Sequence, residues 1–484
     1  MPQPPTSISD EIGIALANLA DAATGAVTPT LRLGVTGLSR AGKTIFITAL
    51  VHNLLAGGRL PGFAPFAEGR FIGARLAEYP DATVPRFAYE QHLLALTGRP
   101  IGWPESTRRV SQLRLTLRYQ SRQWVKSLRG PSTLNLDIVD YPGEWLLDLP
   151  LLSLSYADWS ASALERVRRP AAHREAAAFL AALSATDADA DATDIAAEGL
   201  ATAFTTYLRQ SREDGRALST LPPGRFLLPG DLEGSPALTF APLPPSPGMV
   251  RSGSLYGMLE RRYEAYKSDV IRPFFRDHFA RLDRQIVLVD MLRALNAGPD
   301  AVSDLETALT DVLSAFRQGD SNPISRLFVR RIDRILFAAT KADHVHSSSH
   351  DRLEAILSRL VAEAARRARF AGAETRAIAL ASVRATREGT VEEKGRTVPV
   401  IIGTPRAGES LAGTRYDGRT EVALFPGELP ENPQSVLEPG ARVNLNFLRF
   451  EPPQKLDRNA EGTFVLPHIR FDRALDYLIG DWLK

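Results

Sequence analysis

The chain has 484 residues, 44% of them hydrophobic, a length and content that support a large buried core and more than one structural unit. Its 58 Lys and Arg against 56 Asp and Glu leave a net charge of +2, so no global field demands nucleic acid or anionic lipid. The chain has no cysteine, which excludes disulfides, thiolate metal sites and cysteine nucleophiles and suits a reducing cytoplasm.

Residues 1–29 lack a basic n-region and a continuous apolar core, and read as an N-terminal helical segment. No stretch reaches the ~20 apolar residues that cross a bilayer, so any membrane contact is expected to be peripheral or through a membrane-associated partner. From 30 the run TLRLGVT alternates apolar residues at Leu31, Leu33 and Val35 and predicts a strand. It leads into GLSRAGKT, which fits G-x-x-x-x-G-K-[ST] at Gly37, Gly42, Lys43 and Thr44. Beyond the lysine, Phe46, Leu50 and Leu54 recur at helical spacing. Strand, glycine loop and helix N-terminus make a phosphate cradle lined by Gly37, Leu38, Ser39, Arg40, Ala41, Gly42, Lys43, Thr44 and Ile45. In that cradle Lys43 reaches the β- and γ-phosphates and the Thr44 hydroxyl ligates Mg²⁺. The alternative is a strand-to-helix turn that binds nothing.

Further along, STLNLDIVD (132–140) reads as a strand ending on Asp140, with Gly143 completing D-x-x-G. GTPases end the strand beside the phosphate loop in this way, the carboxylate serving Mg²⁺ and the glycine N–H sensing the γ-phosphate. Glu144 follows directly, where many GTPases carry the glutamine that orients water. A carboxylate there serves as catalytic group or as an idle surface acid. Arg40 is set between a cis arginine finger and an outward-turned side chain. Thr107 is the candidate switch threonine for Mg²⁺, with Thr83 its rival and an ordinary loop threonine the alternative for both.

RILFAATKAD (334–343) is a second apolar strand ending on Thr340, Lys341 and Asp343, the [NT]-K-x-D form. One carboxylate accepts from both N1–H and the exocyclic amine of guanine, whereas adenine presents the wrong pattern, so Asp343 favours GTP over ATP. The Lys341 stem supplies a flat apolar wall for the base. After the strand TRAIALAS (375–382), Ser382, Val383 and Arg384 occupy the loop whose backbone N–H meets the base carbonyl in GTPases.

Strands near 31–36, 113–119, 133–140, 285–289, 334–339 and 376–381 predict an α/β fold with a mainly parallel sheet of the P-loop GTPase kind. The domain spans 30–148 and 283–390. The roughly 140 residues between its third and fourth strands exceed any ordinary connection and form an inserted helical and loop domain, 149–282. Within it the Pro/Gly-rich stretch 221–248 predicts a long surface loop packed on the domain, without regular structure. Residues 391–484 form a C-terminal extension: a hairpin begins just after 385, and the chain ends on a helix apolar at Ala474, Leu475, Leu478 and Trp482.

The segments GLSRAGKT, VDYPGEW, LERRYEAYKSDVIRPFFRDHFARLDRQIVLVDMLRALNAGPDA, ATKADHV and PHIRFDRALDYLIGDWL together resemble the YcjX-like family of bacterial P-loop proteins. The resemblance covers nearly the whole chain. It implies a cytoplasmic protein that binds GTP and GDP and hydrolyses GTP with Mg²⁺, associated with bacterial stress response, acting on an unknown protein effector. Two other features are weighed. His344, His346 and His350 invite a zinc site, against a polar loop beside the base element. The basic runs 166–170 and 366–376 read as solvated faces, and no specific nucleic acid is predicted. Two other functional classes stay open: a nucleotide-dependent binding protein with negligible turnover, and a P-loop kinase or ATPase.

Overall fold

The computed structural model describes residues 28–37, 41–81, 83–105, 109–123, 130–168, 173–213, 222–244, 250–314, 332–370, 372–393, 395–438, 440–441, 443–459 and 461–484. The first 27 residues, where most of the N-terminal helical segment was expected, lie outside them. The described chain divides into two units. One holds Gly143–Arg281 and, of the described residues, 304–314; the other holds the sheet: residues 28–142, Leu282–Ser303 and 332–484.

In the sheet unit, β1 (Thr30–Gly37) is almost wholly buried: Leu31, Leu33 and Val35 are covered on one face, and Arg32, Gly34 and Thr36 on the other. It pairs in parallel with β4 (Ser132–Asp140) on one side and β5 (Arg284–Val289) on the other. β5 pairs in parallel with β6 (Arg334–Ala339), and β6 with β7 (Glu374–Ala379). Beyond β4, β3 (Ser111–Tyr119) runs antiparallel, and β2 (Phe71–Ala77) closes the edge antiparallel to β3. The seven-stranded order is β2-β3-β4-β1-β5-β6-β7. All six expected strands are present. The seventh, β2, went unread because its FIGARLA sequence lacks a buried apolar face and breaks register between Phe71 and Gly73, as an edge strand does.

The five parallel strands end together, so Gly37, Asp140, Asp290, Thr340 and Leu380 share one edge of the sheet. Below that edge helix α1 (Lys43–Leu55) packs Phe46, Leu50 and Leu54 into the core. The C-terminal helix α10 (Phe471–Ile479; α2–α9 are given below) joins the same core through Ala474, Leu475 and Leu478, with Phe471 edge-on to Phe46 at 5.3 Å. The hairpin is β8 (Arg387–Glu393) with β9 (Arg396–Gly403), extended by β10 (Val422–Leu424).

At the opposite ends of the parallel strands, Arg284 is 1% exposed and fully engaged. Its guanidinium donates to Asp481 at 2.5 and 2.6 Å, to Asp333 at 2.9 Å and to the Leu478 carbonyl at 2.7 Å. This cation fastens the last turns of the chain under β5.

Among the described residues, helices between the terminal ones include α2 (Tyr89–Thr97), α3 (Tyr156–Val167), α4 (His173–Ser184), α5 (Asp194–Glu213), α6 (Leu255–Ala265), α7 (Met291–Ala297), α8 (His350–Leu360) and α9 (Ala362–Phe370), with the helices Arg272–Asp277 after α6 and Pro299–Ser314 after α7. In the other unit, α3 to α6 surround an aromatic core: Trp159 stacks on Tyr263 at 5.1 Å and meets Phe240 and Phe204 edge-on. The Pro/Gly-rich stretch packs on the unit as a loop does, but it is not without regular structure. It forms short turns at Gly224–Leu227, Gly230–Leu232 and Pro236–Leu238, and buries Phe226 and Phe240 in that core. The apolar residues between its prolines hold it there.

Arg284→Ala leaves Asp481 without its bidentate partner beneath the sheet. Removing one member of a buried ion pair costs on the order of 3 kcal/mol, so the urea midpoint of the sheet unit is expected to fall accordingly. An unchanged midpoint would show that the cation does not hold the C-terminal helix.

Candidate nucleotide site

At the end of β1 the backbone runs too close to its neighbours for a side chain. A Cβ on Gly37 would stand 3.0 Å from the Leu288 Cβ and 3.1 Å from the Ala41 Cβ. Gly42 takes φ 84°, the left-handed region, and turns the chain into α1. The first turn of α1 carries no acidic residue and no side-chain cap, a helix start suited to an anion. Ala41 and Thr44 are buried and Ile45 is half-buried. Leu38, Ser39 and Arg40 lie outside the described residues.

Lys43 folds across to the neighbouring strand end. Its Nζ is 2.5 Å from Asp140 Oδ1 and donates to the Tyr141 carbonyl at 3.0 Å. Ser111 donates to the other Asp140 oxygen at 3.3 Å. Asp140 is wholly buried, and a buried carboxylate needs such a countercharge. Tyr141 anchors the turn: its hydroxyl, buried and pushed well above its ordinary pKa by burial, donates to Gln285 Oε1 at 2.6 Å. Gly34 makes room for that glutamine, since a Cβ there would lie 2.3 Å from Gln285 Oε1. Neither Tyr141 nor Gln285 stood out in the sequence, because an apolar-looking strand conceals which polar residue is bonded.

The Thr44 hydroxyl and the Asp140 carboxylate are oxygen donors, the chemistry a hard divalent cation takes. Among the described residues no group of three or more His, Cys, Asp or Glu could hold a metal, so a divalent cation there would need further oxygens from outside the protein. Thr107 lies outside the described residues. Its rival Thr83 is exposed and closes a local turn on Asp81, with N–H and hydroxyl both donating to Oδ1. The histidines serve the loops. His350 Nε2 meets the Ala342 carbonyl at 2.8 Å, His344 packs on Phe447 and Phe450, and His346 pairs with Ser348 at 3.0 Å.

On the far side of β5, the Thr340 N–H and hydroxyl both donate to the Val289 carbonyl, at 2.9 and 3.2 Å. Lys341 sits at φ 60° and its ammonium pairs with Asp290, an ion pair the sequence did not announce. Asp343 is 4% exposed, and its Oδ2 accepts from the Ala385 N–H at 2.8 Å. The 382–385 loop therefore lies directly on Asp343. Ser382 and Val383 are buried, and the Arg384 N–H donates to the Pro467 carbonyl at 2.7 Å. The sheet unit thus carries Gly37, Gly42, Lys43, Thr44, Asp140, Thr340, Lys341, Asp343, Ser382, Val383 and Arg384 at or just beyond one edge of the parallel strands.

The pattern of the YcjX-like family, DUF463, matches residues 31–483. The chain belongs to the YcjX-like family. A protein named "Ras-like GTPase YcjX" from Escherichia coli is 40% identical over 472 residues, covering 94% of this chain and 96% of that protein. One of the same name from Shewanella oneidensis is 37% identical over 477 residues, covering 94% and 95%. The mainly parallel sheet of this YcjX-like chain is an α/β fold of the P-loop GTPase-like kind.

Gly143 and Glu144 begin the other unit, at the start of the turn Gly143–Ser153, and Glu144 is buried there. The turn is clamped by 224–228. The Glu144 carbonyl lies where a Cβ on Gly224 would be, at 1.9 Å, and Trp145 Nε1 donates to the Leu228 carbonyl at 3.1 Å under the Arg225 guanidinium. Asp148 accepts from the N–H groups of Gly224 and Arg225 at 2.6 and 3.2 Å and from the Tyr266 hydroxyl at 2.6 Å. Burial pushes its carboxyl up to about 6, against the pull of these hydrogen bonds. The folded chain therefore holds this proton more tightly than the unfolded one, whose carboxyl titrates near ~4. Stability relative to Asp148→Asn is expected to fall as pH rises from about 4 to about 6 and to level off above, by up to roughly 3 kcal/mol. Urea unfolding of both proteins across that range checks this, and a rising difference would contradict it.

Proposed function

We propose that the chain binds GTP and GDP with Mg²⁺ and hydrolyses GTP to GDP and phosphate. The observation that carries this reading is the shared sheet edge, where a phosphate-loop lysine on the β1 side and a T-K-x-D carboxylate on the β6 side flank β5. Two ends of one nucleotide, phosphate and base, suit that arrangement. Asp343 takes the guanine N1–H and exocyclic amine, the Lys341 stem lines the ring, and the Ser382–Arg384 loop meets the base carbonyl through Val383. The names carried by the relatives point the same way.

Lys43, released from Asp140, binds the β- and γ-phosphates, with the backbone of Gly37–Thr44 and Ile45 around them and Arg40 adding charge beside them. Thr44, Asp140 and Thr107 would hold Mg²⁺, which supplies charge to offset the phosphates. Gly143 senses the γ-phosphate and Glu144 orients the attacking water. The clamp on Glu144 supports slow turnover until a protein effector, here assigned to the 149–282 insertion, moves it. A cytoplasmic switch in the bacterial stress response is the role we attach to this chemistry.

Lys43→Ala removes a charge-assisted contact to phosphate, worth roughly 1.5–3 kcal/mol. GTP and GDP affinity are expected to fall at least about tenfold by titration, and unchanged affinity in a folded variant would remove the phosphate-loop assignment. Asp343→Asn replaces two acceptors by one donor and one acceptor, which suits xanthine. Competition among GTP, XTP and ATP is expected to show a shift from guanosine to xanthosine nucleotides with no gain for ATP. Equal binding of ATP and GTP by the unaltered chain would return the kinase or ATPase reading.

A further inference from the structure

Resting on the guanine-site reading above, we propose that Asp290 is a positioning residue that fixes the Lys341 side chain for the base and keeps its ammonium away from Asp343. Asp290 directly follows β5, and the β5–β6 register, Val289 opposite Ala339, sets it level with Thr340. Its Oδ2 pairs with the Lys341 ammonium while its Oδ1 accepts from the Arg293 N–H at 3.4 Å, capping α7. Both oxygens are thereby occupied, and its side chain is 6% exposed, so the carboxylate has one orientation.

Lys341 needs this. A lysine has a long flexible stem and a compact charge, and at φ 60° it leaves a tight turn beside two carboxylates, Asp290 and Asp343. Pairing with Asp343 would place a cation on the acceptor that must receive the two guanine donors. Pairing with Asp290 instead draws the ammonium toward β5, leaves the methylenes to cover the ring, and leaves Asp343 Oδ2 to accept from the Ala385 N–H. The pair is also locally neutral, so Asp290 adds no net repulsion toward a polyanionic nucleotide.

Asp290→Ser tests this, because serine keeps a helix-capping oxygen and removes the charge. GDP affinity is expected to fall about tenfold with turnover at saturating GTP unchanged, and Asp290→Glu to recover part of the loss. In a cycle with Lys341→Ala, the double variant is expected to bind GDP no worse than Lys341→Ala alone, the non-additivity of two residues acting as one unit. Wild-type GDP affinity in a folded Asp290→Ser chain, or losses that simply add, would overturn the positioning role. Should the unaltered chain bind no guanosine nucleotide, the guanine-site reading itself fails, an outcome the wild-type titration shows separately.

Discussion

The molecule depends on the parallel pairing of β1 between β4 and β5. With Val35 level with Asp140 and Gly37 level with Leu288, the strand that leads into the GLSRAGKT segment delivers it between Asp140 and the loops that follow β6 and β7. Parallel strands must be buried on both faces, and α1 and the C-terminal helix supply part of that cover through Phe46, Phe471 and Leu475. Arg284 then ties the last turns to the far end of β5. Residues 466–483 are therefore part of the sheet unit's core, which explains why a chain end more than 400 positions from the phosphate loop belongs to the same unit.

Charge organises the site in the same economical way. Each of its lysines rests on a carboxylate at a neighbouring strand end, Lys43 on Asp140 and Lys341 on Asp290. Ions in a dry setting need partners, and each of these pairs is locally neutral. In the proposed site a nucleotide phosphate would compete for Lys43, whereas Lys341 would keep its partner because its stem, not its charge, would meet the base. The two lysines of the site thus have opposite relations to their carboxylates.

Much of the fold was legible because buried parallel strands are continuous apolar runs and the chemistry follows each one: Gly37, Asp140 and Thr340 all stand at strand ends. β2 was hidden by its half-exposed edge position, and the core role of Phe226 and Phe240 by the prolines around them. Spacing singles out Lys43, Asp140 and Asp343 as candidates. It is silent on Asp290, Tyr141 and Gln285, whose roles arise from register and from which polar atoms end up facing each other across the sheet. Likewise D-x-x-G-E fixes a sequence position for Glu144, but its burial under the 224–228 turn depends on contacts made about 80 residues further along.

The central claim is that one guanosine nucleotide touches Lys43 and Asp343 at once. A structure of the chain with a non-hydrolysable GTP analogue and Mg²⁺ tests it most directly. The account predicts the Lys43 ammonium moved from Asp140 to the β- and γ-phosphates, with the guanine N1–H and amine on Asp343. Phosphates bound with Lys43 still on Asp140, or a base turned away from Asp343, would contradict it.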